Sequence, residues 1–308
     1  MSFSSRIKEE LSSQIPPARH CQLAELSAMS LCLGKFGYDD QEDPGFVIST
    51  ENAYAARKYF TLFQKSLKVG IGVSVRTQPK KDRMSYQLFT GGQESAMQLL
   101  RLKGSTGEFR TTVDQRLCKS SCCKRACLRG YFLCLGSMSS PESGYHLELA
   151  TPSRETADQI LELMGAFSLE GKYVKRKKYH VVYLKGGEGI ADFLKVIGAP
   201  KALLEFENTR IYKDMRGRVN RKVNCEAANI TKTVTAAARQ VEDIRLIDRM
   251  QGLDTLSSSL RQMALLRLEM PEASLEELGK MSDPPVGKSG VNHRLRKLSQ
   301  LADSLREG

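Results

Sequence analysis

No stretch of this 308-residue chain is apolar for long enough to cross a bilayer. Its opening, MSFSSRIKEEL, is amphipathic and contains acids, unlike a secretory signal. A cytoplasmic protein with no membrane partner is expected. Acids are in deficit, 35 against 47 Lys and Arg, so the net charge is +12. That excess favours polyanions, because each neutralised phosphate releases counterions; it also suits a solubilising surface. Histidine is scarce, and His293 has no second histidine near it in sequence, which argues against a metal ligand or catalytic base there. Of eight cysteines, four cluster as Cys118, Cys122, Cys123 and Cys127. The paired C-x2–4-C spacing of structural zinc sites is only partly met. Cys123, Cys127 and Cys134 instead fall at helical spacing, as small side chains packing a helix do. No metal, no cofactor and, in a cytosolic protein, no disulfide framework is expected.

What the chain does have is an internal repeat. Residues 24–35 read AELSAMSLCLGK and residues 126–137 read ACLRGYFLCLGS, an offset of 102 positions. Both are helix-like, keep a small residue at one place (Ala28, Gly130) and end in Leu-Cys-Leu-Gly. Small residues let two helix backbones approach, and Gly34 and Gly136 are expected as left-handed helix caps. The following pattern also repeats. Phe46–Thr50 parallels Tyr145–Leu149, and each precedes a helix-like run, Asn52–Lys68 or Thr156–Phe167. Strand-like pairs follow, Ile71–Arg76 with Tyr86–Thr90, and Tyr173–Lys175 with Val181–Leu184. Closing helices are expected at Gln93–Leu102 and Ile190–Ile197. A repeat of this length outweighs any single motif.

Leu26–Gly34 and Leu128–Gly136 resemble the nine-residue motif of the LAGLIDADG homing endonucleases. The resemblance implies an α+β fold of two pseudo-symmetric repeats, αββαββα each. It also implies a metal-holding acid at the eighth motif position, where this chain has Leu33 and Leu135. An apolar side chain cannot supply the oxygen that Mg²⁺ requires, so no catalytic residue and no enzyme activity is expected. A nuclease would need acids from outside the motif, such as Asp39, Asp40, Glu42 or Glu142, which read more simply as turn residues.

Residues 1–17 form an N-terminal helix with Phe3, Ile7 and Leu11 inward, stopped by Pro16-Pro17. The repeats occupy 18–104 and 105–200. The second hairpin carries Lys175, Arg176, Lys177 and Lys178 on a sheet that faces DNA in the endonuclease fold; charge runs are also commonly hydrated tips. Residues 201–226 read as a flexible basic linker, with Arg210, Lys213, Arg216, Arg218, Arg221 and Lys222 suited to DNA backbone phosphates and Gly217, Asn220 and Asn224 interrupting any regular pattern.

Residues 227–308 are helical in pattern. Asn229 is expected to cap a helix that Gly252 ends. A second helix, Ser257–Met270, would turn Leu260, Leu265, Leu266 and Leu268 inward until Pro271. Ser274 and Glu277 have capping-box spacing. After a seven-residue turn, Ser289 would cap a helix burying Val291, Leu295, Leu298, Ala302 and Leu305. Lys288, Ser289, Asn292, His293, Arg294, Arg296 and Lys297 are the candidate DNA-binding residues. The layout is a helix-turn-helix, whose second helix enters the major groove, where Asn can pair adenine and Arg or Lys can pair guanine. The turn is longer than the usual three or four residues.

Cys122–Gly130, Gly144–Leu149, Val223–Val234 and Pro284–Arg296 together resemble the WhiA family of bacterial regulators across nearly the whole chain. That resemblance implies a sequence-specific transcription regulator of sporulation or cell division. Double-stranded DNA is then bound chiefly through the helix-turn-helix, with a regulatory partner protein in some members. A monomer is expected. The alternatives are a protein-binding scaffold with secondary DNA contact, or the nuclease above.

Overall fold

The computed structural model describes residues 1–38, 44–67, 71–78, 83–91, 94–104 and 107–307. Contacts divide the chain into two units, Met1–Asp214 and Met215–Gly308.

The first unit contains the two repeats. The first runs α2 (Arg19–Leu33), β1 (Gly34–Tyr38), β2 (Pro44–Thr50), α3 (Ala53–Leu67), β3 (Gly72–Gln78), β4 (Arg83–Gly91) and α4 (Glu94–Leu99), after an N-terminal α1 (Phe3–Ser13). The second runs α5 (Ser121–Leu135), β5 (Gly136–Met138), β6 (His146–Thr151), α6 (Arg154–Gly165), β7 (Lys172–Arg176), β8 (Tyr179–Lys185) and α7 (Gly187–Ile197). Each is αββαββα, as the LAGLIDADG resemblance implies. Each sheet is antiparallel, in the order β1-β2-β4-β3 or β5-β6-β8-β7. In β6 the side chains alternate, with Leu147, Leu149 and Thr151 buried, as a sheet with one covered face requires.

Helices α2 and α5 pack along one another. A Cβ on Gly130 would stand 2.7 Å from the Glu25 carbonyl oxygen and 3.1 Å from Ala28 Cβ, so the small residues set the approach. Gly34 and Gly136 follow a different rule from the expected one. Both are extended, at φ −87° and −75°, and each opens a strand rather than forming a left-handed cap. Glycine is needed there for room: a Cβ would meet Phe46 Cζ at 2.0 Å on Gly34 and Phe132 Cδ2 at 2.3 Å on Gly136.

A buried charge cluster fastens five helices. Glu25 of α2 is fully buried; Lys58 Nζ of α3 stands 3.1 Å from its Oε1 and Arg129 Nη1 of α5 3.1 Å from its Oε2. Lys58 also donates to the carbonyls of Leu11 and Gln14 at the end of α1, and Arg129 Nε donates to Ile197 O at the end of α7. Burial pulls the Lys58 ammonium below the usual lysine range, and Glu25 opposes that. The inward face of α1 is the expected one: Phe3, Ile7 and Leu11 are buried.

The segment expected as a flexible linker is helical. Pro200 sits at the first helical position, following Gly198 at φ +77°, and α8 runs from Pro200 to Gln251. Asn229 therefore lies inside a helix and caps nothing. Gly217 and the two asparagines each cost roughly 0.7–1 kcal/mol of propensity, too little to break so long a helix.

The second unit adds α9 (Ser258–Glu269), α10 (Leu275–Met281) and α11 (Lys288–Glu307) to the end of α8. Gly252, at φ +79°, ends α8 as expected. Ile244, Ile247, Leu253, Met263, Ala264, Leu278, Val291, Leu295, Leu298 and Ala302 form its core. The expected face of α9 holds in part: Leu260, Leu266 and Leu268 pack partly buried against the core, but Leu265 is exposed and the fully buried positions are Met263, Ala264 and Arg267. Arg267 is inside because its Nη1 donates to the carbonyls of Pro271 (3.3 Å) and Ala273 (2.7 Å), closing the turn into α10.

Candidate nucleic-acid interface

α10 opens with the expected capping box. Glu277 N donates to Ser274 Oγ at 3.3 Å, and Ser274 N donates to Glu277 Oε2 at 2.7 Å. Those bonds hold the Glu277 carboxyl below its usual range. Six residues then separate α10 from α11. Buried Ser282 ties the turn through Oγ to Gly279 O (2.8 Å), and Val286 N donates to the same carbonyl at 3.0 Å. Gly279 is required by this approach, because a Cβ there would stand 2.2 Å from Val286 O.

α11 begins two residues earlier than a cap at Ser289 would allow. Lys288 is its first residue, and Val291 N bonds Gly287 O at 3.1 Å. Ser289 is instead exposed in the first turn. Val291, Leu295, Leu298 and Ala302 face the core as expected, and Leu305 is only partly covered. The opposite side exposes Lys288, Ser289, Asn292, His293, Arg296 and Lys297. At 1.5 Å per residue, positions 288–297 span roughly 14 Å, the length of about four stacked base pairs. Arg294 differs from its neighbours: it is half-buried, and its Nη1 is enclosed without a hydrogen-bond partner among the described residues.

The backbone candidates divide into free and engaged side chains. Arg216, Arg218, Arg221 and Lys222 are exposed on α8, and the last three share one face at i, i+3 and i+4. Arg210 is engaged by Glu207 at 3.3 Å and Glu188 at 3.8 Å. Lys213 donates to the carbonyls of Pro141 and Glu142, both at 3.2 Å, and lies 4.9 Å from the centre of the Tyr145 ring. In the second repeat, Lys175, Lys177 and Lys178 are exposed at the hairpin tip, with Lys177 at φ +52°, whereas Arg176 pairs with Glu148 at 3.0 Å.

Leu33 and Leu135 are the last residues of α2 and α5 and pack partly buried against the core. Asp39, Asp40 and Glu42 lie outside the described residues. Glu142 is exposed in a turn, its carbonyl taken by Lys213. Among the described residues no helix is long and apolar enough to cross a membrane.

One grouping was not read from the sequence. Cys122 and Cys123 do not close a site with Cys118 and Cys127; they converge with His20 and Cys21. Cys118 and Cys127 are buried, and Cys127 Sγ lies 3.6 Å from Ala24 O. The signal was the repeat itself, since the same 102-position offset aligns His20 with Cys122 and Cys21 with Cys123.

Three family models match the chain: the WhiA N-terminal LAGLIDADG-like domain over residues 19–103, the WhiA LAGLIDADG-like domain over 124–216, and the WhiA C-terminal HTH domain over 219–302. The chain is 45% identical to the "Probable cell division protein WhiA" of Lachnoclostridium phytofermentans, with 100% of each chain covered. It is 44% identical to the protein of the same name from Desulforudis audaxviator, over 99% of this chain and 98% of that one. Among solved structures it resembles full-length DUF199/WhiA from Thermatoga maritima, with a TM-score of 0.61, 28% identity and 99% of each chain covered. Two LAGLIDADG-like repeats followed by a helical HTH region, matched from end to end by these relatives, establish that the chain belongs to the WhiA family.

Proposed function

We propose that this protein is a sequence-specific DNA-binding regulator of cell division or sporulation whose endonuclease-like unit does not cut DNA. The observation that carries this reading is the exposed polar and basic side of α11. It sits on a helix whose other side is fully committed to a core, after a short capped helix, as major-groove readers are built. Asn292, Arg296 and Lys297 supply the hydrogen-bonding patterns that base edges require. Lys288 and Ser289, beside the free N–H groups of the helix N-terminus, suit a phosphate. Arg216, Arg218, Arg221 and Lys222 on α8, and Lys175, Lys177 and Lys178 at the hairpin, act as sequence-independent backbone contacts. Arg210, Lys213 and Arg176 contribute less, being held by protein partners. Leu33 and Leu135 support the absence of cleavage.

Binding selection from a random duplex pool, followed by titration of the selected site at several salt concentrations, tests this. A shared motif that Arg296→Ala relaxes supports the reading; retention without any shared motif defeats it.

A second reading is favoured by one feature of α8. Met215, Val219, Val223, Ile230 and Val234 are all more than half exposed, at spacings of about one or two turns. Such a stripe suits a partner protein. Val219→Ser with Val223→Ser, which adds no charge beside Arg218 and Lys222, would then leave DNA affinity intact while abolishing regulation in the cell; unchanged regulation would remove this reading.

A further inference from the structure

We infer that His20, Cys21, Cys122 and Cys123 bind a single Zn²⁺ ion that clamps the N-terminal ends of α2 and α5 together. One ligand atom from each residue falls within 4.8 Å of all the others. His20 Nδ1 stands 3.1 Å from Cys123 Sγ and 3.4 Å from Cys21 Sγ. A tetrahedral ion with bonds of about 2.0–2.3 Å separates its ligand atoms by roughly 3.3–3.8 Å, so small side-chain shifts suffice to close the shell. Three thiolates and one imidazole form a structural zinc set, and soft sulfur ligands disfavour Mg²⁺ and Ca²⁺. Four protein ligands leave no open position, so the site is structural rather than catalytic.

The placement agrees with the symmetry of the unit. Each repeat contributes the same two positions, the first turn of its motif helix, so the ligands form two pseudo-symmetric pairs across the α2–α5 contact. The surroundings suit anionic sulfur. The three sulfurs lie in the first turns of α2 and α5, where the positive end of a helix favours thiolate, although burial opposes it at Cys21. Ser120, at the N-cap of α5, does not use its side chain to cap a backbone N–H of the helix; its Oγ instead lies 3.2 Å from Cys122 Sγ and 3.1 Å from Cys123 Sγ. A hydroxyl donating to a ligating sulfur is the kind of outer partner metal thiolates keep. Cys21 and Cys123 are buried while His20 and Cys122 are exposed, so the ion has a path from solvent. An iron–sulfur cluster, with its own bridging sulfides, would need thiolates farther apart. Binding converts three thiols to thiolates, and the three protons pass to solvent.

The experiment is elemental analysis of the full chain, purified under reducing conditions without chelator. The expected result is about one zinc per chain, retained by Cys225→Ser and lost in Cys122→Ser and His20→Ala. Should those variants fail to fold, the wild-type protein is stripped and titrated with Co²⁺, which must give thiolate charge-transfer absorption and tetrahedral d–d bands that Zn²⁺ then displaces. Chelation should also lower the unfolding midpoint of the wild type but not that of a folded Cys122→Ser. Any of three results overturns the inference: metal-free reduced protein that gives no such cobalt spectrum, iron in place of zinc, or a disulfide between Cys21 and Cys122 or Cys123 in the protein from reducing cells.

Discussion

Glu25 shows how far one residue can matter in this fold. Replacing it with Gln leaves Lys58 and Arg129 buried without their counter-charge, and breaking a buried pair costs about 3–5 kcal/mol. Urea unfolding of Glu25→Gln should therefore show a lower midpoint with little change in slope. Asp114 makes a pH-dependent contribution. It is almost fully buried, accepts Arg116 N at 2.8 Å and the Arg116 side chain at 2.9 and 3.0 Å, and lies 3.4 Å from Arg110. The Arg116 hydrogen bonds hold its carboxyl well below the usual aspartate range. A depressed folded pKa means the stabilisation is full above the unfolded aspartate value, about 4, and is lost as pH falls through the folded one. Asp114→Asn should thus lose about 1–3 kcal/mol at neutral pH and show less additional loss in acid than the parent; equal acid sensitivity would remove Asp114 from the explanation.

At the scale of elements, α11 and α8 make different kinds of prediction. Arg296→Ala should cost about 1–3 kcal/mol on the preferred site and flatten preference at one base position, read by competition between duplexes. Lys222→Ala should weaken binding to all sequences alike and reduce the salt slope by about one; a change in base preference instead would mean Lys222 reads bases. The sequence showed α11 clearly, because Val291, Leu295, Leu298 and Ala302 repeat at helical spacing with polar residues between them. The two repeats were legible from their 102-position duplication, and the αββαββα order from the resemblance of both motifs to LAGLIDADG. The sequence hid the first part of α8, residues 200–228, because an exposed basic helix lacks a fully buried face and its Gly217 and asparagines look like breaks; the part from Asn229 to Gln251 is legible as a helix. On α9 the sequence hid the inward position of Arg267, which its two carbonyl partners make tolerable. The His20–Cys123 grouping was invisible to spacing rules, which compare cysteines within one segment, whereas these ligands come from two repeats.

In the whole molecule, a duplicated LAGLIDADG-like unit and a helical HTH unit share one chain, and the motif position that would hold a catalytic metal is apolar in both copies. The α2–α5 packing, the buried Glu25 cluster and the two sheets all form without an acid at that position in either repeat. The central claim is therefore binding without cutting. Purified protein incubated with genomic DNA fragments and Mg²⁺, then scored for both retention and cleavage, tests it most directly. Retained, intact fragments sharing a short motif are predicted, with the motif lost in Arg296→Ala. Cut fragments would contradict the account and direct attention to acids outside the motif.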